Sequence, residues 1–447
     1  MTSAWVNDSN VALLTDLYEL TMLQSYFDEG MNGLAVFDLF IRRLPENRNY
    51  FVACGLDHVL DYLETFSFSE DGLEYLRSLD RFSGAFLGSL RDLRFTGDVY
   101  AVPEGTVIFP NEPIFEVVAP LPQAQIIETF VMNQIQLATM AASKAARIVY
   151  AARGRSVVDF GARRMHGADA GVKEPRAFYI GGVGATSSVL AGRIYGIPLA
   201  GTMAHSYIQA FDNEMDAFRR FLRAYPAAVL LVDTYDVKKG VERVIDLSRE
   251  LGSDFRLSGL RLDSGDLAKQ ATEVRGMLDR AGLKQVKIFV SSSLDEYAID
   301  RLLTSGAPID GFGVGAHMAT SSDAPVLDTA YKLAEYAGRP KLKLSESKST
   351  LPGRKQIFRE KSYGKAVRDV VGLQGERVTG EPLLVSVMSR GRRTQPSEPL
   401  ERCRNRCRAE LNSLSEALLS LSKAETPYPI DVSAGLEHLR SAAAELA

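Results

Sequence analysis

Residues 257–267 have the sequence LSGLRLDSGDL, in which an apolar run ends in a polar turn before a helical pattern begins. The run is strand-sized, and the helical pattern continues to Ala281. Arg261 and Asp263 alternate with leucines, so both side chains are expected to face the same side of the strand. In a β/α protein such strand ends form the edge at which ligands bind.

This strand–turn–helix unit recurs through the central part of the chain. The predicted strands are 156–160, 198–200, 229–232, 257–262, 287–290 and 309–314. The predicted helices are a long one at 125–152, followed by 184–195, 206–223, 237–251, 267–281 and 296–305. Roughly six or seven such units favour an irregular or incomplete (β/α) barrel, because a complete eight-unit barrel needs about 250 residues. No G-x-G-x-x-G segment follows a strand here, so a dinucleotide-binding fold has no direct support.

The segments on either side of this array have a different texture. Residues 1–122 combine helical patterns with short strands separated by Pro and Gly, which predicts an α+β domain. The predicted barrel domain covers 123–343, residues 344–389 return to the N-terminal domain, and 390–447 form a connector and a helical tail. The expected fold class is therefore α/β: an irregular (β/α) barrel with a smaller α+β domain built from the N-terminal segment and a C-terminal return.

The composition argues against membrane and nucleic-acid-binding proteins. The 447 residues are 46% hydrophobic and 24% charged, with a formal net charge of -4, which is the balance of a globular protein. No apolar run reaches membrane-spanning length, and no basic domain typical of nucleic-acid binding is present. With three cysteines and no secretion-signal pattern, we expect a cytoplasmic protein without nucleic-acid or membrane partners. Cys403 and Cys407 lack further ligands nearby, so no protein metal site is predicted.

Two further strand ends carry residues able to do chemistry. In GTMAHS, residues 201–206, the imidazole of His205 suits acid–base or covalent phosphoryl chemistry, while a structural hydrogen-bonded histidine is the competing interpretation. In FGARR, residues 160–164, the guanidinium of Arg163 suits carboxylate or phosphate binding, although most surface arginines are simply solvated.

Later strand ends offer phosphate-binding and capping candidates. The segment GFGVGA, residues 311–316, is either a phosphate site built from backbone N–H groups or a plain tight turn. The segment SSSLD at 291–295, which includes Ser292, either adds hydroxyl or amide donors to the site or merely caps the helix that begins at Asp295. Asp266 is predicted to cap the helix of the opening unit.

Together these segments resemble the nicotinate phosphoribosyltransferase family, which has the type II phosphoribosyltransferase fold. The resemblance covers roughly residues 12–360 and rests on TDLYELTM at 15–22, FGARR at 160–164, GTMAHS at 201–206, RLDSGDL at 261–267 and GFGVG at 311–315. It implies an ATP-dependent ligase of NAD salvage that forms a C–N bond. The implied reaction transfers phosphoribosyl from phosphoribosyl pyrophosphate to nicotinate, with Mg²⁺ as cofactor and ATP as co-substrate. Its products are nicotinate mononucleotide, pyrophosphate, ADP and phosphate.

The resemblance also implies residue roles. His205 corresponds to the histidine that ATP phosphorylates, and Asp263 to a catalytic carboxylate near the ribose. The implied substrate-binding residues are Tyr18 and Phe160 on the two faces of the pyridine, Arg261 and Thr202 on the nicotinate, Arg163 between base and pyrophosphate, and Ser292, Gly313, Gly315 and Ala316 around the phosphate. Many family members have Thr where this chain has Ala316, so one hydroxyl is missing from that cradle.

The family forms head-to-tail homodimers with composite active sites, in which Arg42 and Arg43 would reach the neighbour's pyrophosphate. Lys348 and the turn PGRK at 352–355 resemble the family's return into the smaller domain. Two alternatives stay open. One is a nicotinamide- or quinolinate-using phosphoribosyltransferase of the same fold, and the other is a non-catalytic nucleotide-sensing relative.

Overall fold

The computed structural model describes residues 5–344 and 350–446, which divide into two compact units. The first unit comprises 1–140 and 326–447, and the second comprises 141–325. Lys348, implicated above in the return to the smaller domain, lies outside the described residues.

Helices occur throughout both units. In the part of the chain that the structure describes, none of them combines the length and the apolar character needed to cross a bilayer. In chain order they are α1 Leu17–Asp28, α2 Leu56–Thr65, α3 Glu70–Ser78, α4 Gly84–Asp92, α5 Leu121–Ile126, α6 Glu128–Ala151, α7 Ala168–Ile180, α8 Val189–Tyr195, α9 His205–Gln209, α10 Glu214–Ala224, α11 Val237–Leu251, α12 Leu267–Arg280, α13 Glu296–Thr304, α14 Ala316–Ala319, α15 Leu400–Ser413, α16 Glu416–Leu419 and α17 Ala434–Glu445.

The strands form separate sheets in the two units. In chain order they are β1 Leu34–Ile41, β2 Phe51–Val52, β3 Asp98–Ala101, β4 Val107–Ile108, β5 Phe115–Pro120, β6 Ser156–Asp159, β7 Ala185–Thr186, β8 Val229–Leu231, β9 Gly259–Leu262, β10 Lys287–Ser291, β11 Gly311–Val314, β12 Thr329–Tyr336, β13 Arg339–Pro340, β14 Lys355–Ser362, β15 Lys365–Leu373, β16 Glu381–Pro382, β17 Val385–Ser389, β18 Arg392–Arg393 and β19 Ile430–Val432.

The first unit is built on a seven-stranded antiparallel sheet with the order β13-β12-β1-β5-β3-β17-β18. β1 lies inside this sheet between β12 and β5, and its apolar run is buried along most of its length. Asp38 is the charged residue of that run, and Lys355 neutralises it through an Nζ–Oδ2 contact of 2.6 Å. A second sheet, of order β16-β14-β15-β19, is made by the C-terminal return and tail.

The second unit is a curled, parallel half-barrel sheet with the order β7-β6-β11-β10-β9-β8. Helices connect its strands, as the repeated strand–turn–helix pattern predicts. In β9 the side chains of Leu260 and Leu262 are fully buried, while Arg261 between them is partly exposed. The predicted α/β class with an irregular barrel is therefore confirmed, and so is the expected alternation along this strand.

The compact barrel unit is shorter at both ends than the predicted 123–343. The first half of α6 supplies Phe130, Val131 and Ile135 to the hydrophobic core of the first unit. At the other end, β12 pairs with β1 instead of extending the parallel sheet. Burial of these apolar faces assigns both segments to the first unit.

Three local predictions are wrong in detail. The predicted helix 184–195 starts with strand β7, whose Thr186 hydroxyl donates to Asp159 Oδ2 at 2.7 Å, so α8 begins only at Val189. The predicted helix 206–223 is interrupted, because Asn213 caps a new helix by accepting from the backbone N–H of Asp216. The predicted strand 198–200 is reduced to a single bridge to β7.

The C-terminal segment also contains more sheet than the predicted connector and helical tail. Within it, β18 pairs with β17, and β19 pairs in parallel with β15. The guanidinium of Arg393 forms ion pairs with Asp57, Asp61 and Glu64, at 2.8, 2.5 and 3.3 Å. These three carboxylates, all on α2, hold the short strand β18 against that helix.

Candidate functional site

Arg261, in β9, is the centre of a hydrogen-bonded cluster in the barrel unit. Its Nε donates to Ser291 Oγ at 3.0 Å, and its Nη1 donates to Thr202 Oγ1 and to the carbonyl of Met203. Its Nη2 lies 3.3 Å from Asp263 Oδ2, and the side chain is only 13% exposed. Hydrogen bonds and an ion pair from the guanidinium to four separate groups thus hold it in one orientation. A guanidinium fixed in this way suits recognition of a planar anion.

Asp263 connects this guanidinium to His205. Its Oδ1 accepts a hydrogen bond of 2.5 Å from Ser291 Oγ, and its Oδ2 lies 3.7 Å from His205 Nε2. The other imidazole nitrogen, Nδ1, is 3.1 Å from Thr234 Oγ1. The His205 and Asp263 side chains are 39% and 29% exposed, so a ligand can reach both.

Phe160 supplies an aromatic wall beside the cluster. It follows β6 directly, and the guanidinium carbon of Arg261 lies 5.7 Å from the centre of its ring. On the neighbouring strand β11, a Cβ built on Gly313 would collide with Phe160 Cε2. Glycine at this position therefore makes room for the ring.

Replacing Gly313 with alanine is expected to displace Phe160 and to lower the free energy of unfolding by about 1–3 kcal/mol, the usual cost of overpacking. Chemical denaturation measures this loss. Gly88→Ala is the matched control, because a Cβ there has no atom within 4 Å inside helix α4. Equal stability of Gly313→Ala and the wild type would show that the ring can move without cost.

The remaining predicted residues of the barrel unit occupy its strand ends. Arg163 is exposed and has no hydrogen bond or ion pair to any other residue in the described ranges. Gly315 precedes the short helix α14, which begins at Ala316. Ser292 is exposed and has φ of 94°, a strained value for serine, and the preceding residue Ser291 is the one bound to Arg261.

Tyr18 belongs to the first unit. It lies in the first turn of α1, and its side chain is among the exposed aromatic groups, at 47%. Burial of part of the ring, followed by the charges of Glu128, Glu19 and Asp16, raises the pKa of its hydroxyl. The hydroxyl also forms a hydrogen bond with Glu128 at the start of α6, while the ring stays partly exposed.

The chain is similar to proteins of one known family. A model of the nicotinate phosphoribosyltransferase N-terminal domain matches residues 13–136, and a model of the C-terminal domain of the same family matches 373–440. The nicotinate phosphoribosyltransferase pncB2 of Mycobacterium tuberculosis is 52% identical over 423 residues, covering 94% of this chain and 91% of the relative. The chain belongs to the nicotinate phosphoribosyltransferase family.

Further similar proteins include a second curated relative and two solved structures. The Bacillus subtilis nicotinate phosphoribosyltransferase is 40% identical, over 84% of this chain and 79% of its own. The crystal structure of human nicotinic acid phosphoribosyltransferase superimposes with a TM-score of 0.87 at 28% identity, covering 96% of this chain and 99% of that one. A structure described as nicotinate-nucleotide pyrophosphorylase from Pyrococcus furiosus has a TM-score of 0.76 at 25% identity, over 92% of this chain and 98% of that one.

Asp233 and Thr234 were not predicted from the sequence, and within the segment 291–295 the predicted site residue was Ser292, whereas Ser291 is the one that contacts Arg261. Asp233 Oδ2 accepts from the backbone N–H of Asp263 at 2.8 Å and from Ser264 Oγ at 2.7 Å. Asp233 Oδ1 is buried and has no hydrogen-bond partner among the residues that the structure describes. A strand-end rule would have found Asp233 and Thr234, because they follow β8 as Asp263 follows β9.

Simple capping explains other polar strand-end residues. Asp266 accepts from the backbone N–H of Lys269, and Asp295 from that of Ala298, so both predicted caps are confirmed. Asp159 accepts from the backbone N–H of Gly161, and burial raises the pKa of its carboxyl group.

Across the described ranges, no three His, Cys, Asp or Glu side chains converge in a way that would hold a metal ion.

Proposed function

We propose that this chain catalyses the transfer of phosphoribosyl from phosphoribosyl pyrophosphate to nicotinate, driven by ATP, in cytoplasmic NAD salvage. The observation that carries the proposal is the partly buried Arg261 guanidinium within a cluster that also contains Asp263 and His205. Within this one cluster, Arg261 suits an anionic pyridine and Asp263 suits a cationic ribose centre. His205 can accept a phosphoryl group in the same place.

Selection of the acid over the amide follows from charge. Arg261 and Thr202 would hold the nicotinate carboxylate, with the ring against Phe160 and Tyr18. A charge-assisted hydrogen bond contributes on the order of 1.5–3 kcal/mol. An uncharged amide in the same place gains no charge-assisted hydrogen bond from the guanidinium and is disfavoured accordingly.

The transfer step itself needs alignment and charge stabilisation. The ring nitrogen of nicotinate carries a lone pair and attacks the anomeric carbon as pyrophosphate leaves, so no base is required. Asp263 would stabilise the positive charge that develops on the ribose. Holding both reactants in line supplies several kcal/mol of the barrier reduction.

His205 would couple ATP hydrolysis to this transfer. When Nδ1 carries the proton and donates to Thr234, Nε2 keeps the lone pair that attacks the terminal phosphoryl group of ATP. The new N–P bond forms as the P–O bond to ADP breaks, and water later hydrolyses the phosphohistidine. The exposure of the imidazole is consistent with access for ATP.

The residues also fit the Mg²⁺ that the family implies. Asp233 has a buried carboxylate oxygen without a donor, and Asp263 lies next to it. Magnesium usually binds through one or two carboxylates together with substrate phosphates, so these two residues would hold it beside the pyrophosphate. When bound, the ion would neutralise charge on the leaving group.

The proposed phosphate contacts come from exposed positions. Arg163 would bind the pyrophosphate, and the segment around Gly313, Gly315 and Ala316, together with Ser292, would bind the 5-phosphate through N–H and O–H groups. At Ala316 the backbone N–H has to compensate for the missing hydroxyl.

We also propose a homodimer with composite sites, in which Arg42 and Arg43 reach the partner's pyrophosphate. In the first unit both guanidiniums contact Asp328, at 2.9 and 3.1 Å. A bound pyrophosphate would compete with this single carboxylate for the two cations.

Pyrophosphate release tests the proposal directly. The purified chain is incubated with phosphoribosyl pyrophosphate, ATP and Mg²⁺, and with nicotinate, nicotinamide or quinolinate in turn. Pyrophosphate release is expected only when nicotinate is the pyridine added. Release with one of the other pyridines would favour the alternative substrates, and no release with any of them would favour the non-catalytic alternative.

A further inference from the structure

Helix α1, which carries Tyr18 in its first turn, begins without a side-chain cap of its own. Its N-cap residue Asp16 makes no capping hydrogen bond. Instead, the first turn of α1 is tied to the first turn of α6. Thr129 Oγ1 lies 3.1 Å from Asp16 Oδ2 and accepts from the backbone N–H of Asp16 at 3.2 Å.

Glu19 is the main link in this connection. Its Oε1 accepts from the hydroxyl of Thr129 at 2.6 Å and from the backbone N–H of Thr129 at 3.2 Å. Its Oε2 accepts from the hydroxyl of Thr15 at 2.5 Å. The carboxylate thus binds both the segment before α1 and the start of α6.

Adjacent positions on α1 have opposite environments. Glu19 is fully buried, whereas Tyr18 is 47% exposed. Successive residues on a helix point about 100° apart, so the rotation of α1 that buries Glu19 is also the rotation that presents the Tyr18 ring. A rotation of α1 that follows loss of the Glu19 contacts would therefore move both side chains together.

Burial of the Glu19 carboxylate is unfavourable for its charged form. Burial raises the pKa of Glu19 to about 7, against the hydrogen bonds from Thr129 and Thr15, which lower it, and Glu128 adds a second negative charge nearby. A well-packed apolar residue usually stabilises a fold better than a buried charge does. A buried acid in this position is therefore better explained by the geometry that it imposes than by stability.

We propose that Glu19, through Thr129, is a positioning residue that holds Tyr18 where its ring meets the pyridine substrate. The inference rests on the proposed function, in which Tyr18 stacks on nicotinate. Neither Glu19 nor Thr129 contacts substrate in this proposal, so both act only through the placement of Tyr18.

Substitutions of Thr129 test this link with little change in volume. Thr129→Val removes the hydroxyl, Thr129→Ser keeps it as the conservative rescue, and Glu19→Gln removes the charge. Thr129→Val and Glu19→Gln are expected to raise the nicotinate KM about tenfold through misplacement of the ring, with the phosphoribosyl pyrophosphate KM changed less than about twofold. Thr129→Ser is expected to behave like the wild type.

A double-mutant cycle with Tyr18→Ala separates positioning from stability. In the Tyr18→Ala background, Thr129→Val is expected to leave the nicotinate KM unchanged, because the group that it positions is gone. A further tenfold rise in that background, or equal rises in both KM values, would overturn the positioning role. If the wild type shows no nicotinate-dependent pyrophosphate release at all, the proposed function fails, and this inference fails with it.

Discussion

Arg261→Ala is expected to raise the nicotinate KM by about 100-fold or more while the ATP KM changes less than about twofold. The groups that hold the guanidinium are the hydroxyls of Ser291 and Thr202 and the carbonyl of Met203. Because none of these three groups is a cation, none of them can replace the guanidinium as the partner of the carboxylate. Two charge-assisted hydrogen bonds to the substrate, at about 1.5–3 kcal/mol each, account for the size of the loss. Steady-state kinetics with each substrate varied in turn measures it.

Two controls sharpen this prediction. Arg261→Lys keeps the charge but loses the planar fork, so we expect an intermediate nicotinate KM. Arg256→Ala removes an exposed arginine three residues before β9 and is expected to leave both KM values unchanged. Equal rises in the nicotinate and ATP KM values for Arg261→Ala would count against its role in binding the carboxylate.

His205→Ala is expected to abolish ATP hydrolysis and the gain that ATP brings, while slow phosphoribosyl transfer continues. The imidazole is the phosphoryl acceptor in the proposal, so ATPase activity should fall by about 1,000-fold or more without it. Arg261 and Asp263 remain in place, and alignment of nicotinate with the ribose does not need the phosphohistidine. ADP formation and pyrophosphate release, measured in parallel, separate the two effects.

His438→Ala is the matched control, because this histidine is exposed on α17 in the first unit. We expect ADP formation at the wild-type rate. Incubation with ATP labelled on its terminal phosphate should label the wild type and His438→Ala but not His205→Ala. Undiminished ATPase activity or labelling in His205→Ala would refute the assignment.

Features that depend on short stretches of chain were predictable. The alternation of Arg261 and Asp263 with buried leucines follows from the two-residue period of a strand. The caps at Asp266 and Asp295 depend only on the three residues that follow each of them. Repetition of these local units was enough to predict a parallel β/α array.

Choices between neighbouring residues needed the packed sheet. Among three consecutive serines, Ser291 contacts Arg261 because β10 ends there, and a shift of one residue would turn a different hydroxyl toward β9. Gly313 accommodates Phe160 because β11 lies beside β6, although the paired positions, such as Phe312 and Val157, are far apart in the chain. Thr186 likewise belongs to a strand because β7 pairs with β6, and this pairing also brings its hydroxyl to Asp159.

The sequence by itself determined the class of fold, the strand-end positions of Arg261 and Asp263, and the helix caps, because each depends on neighbours within a few residues. Only the tertiary structure decided that Asp233 supports Asp263, that β12 pairs with β1, and that Thr129 binds Glu19. These contacts join segments that are distant in the chain, and burial and hydrogen bonding select them only once the sheets are assembled.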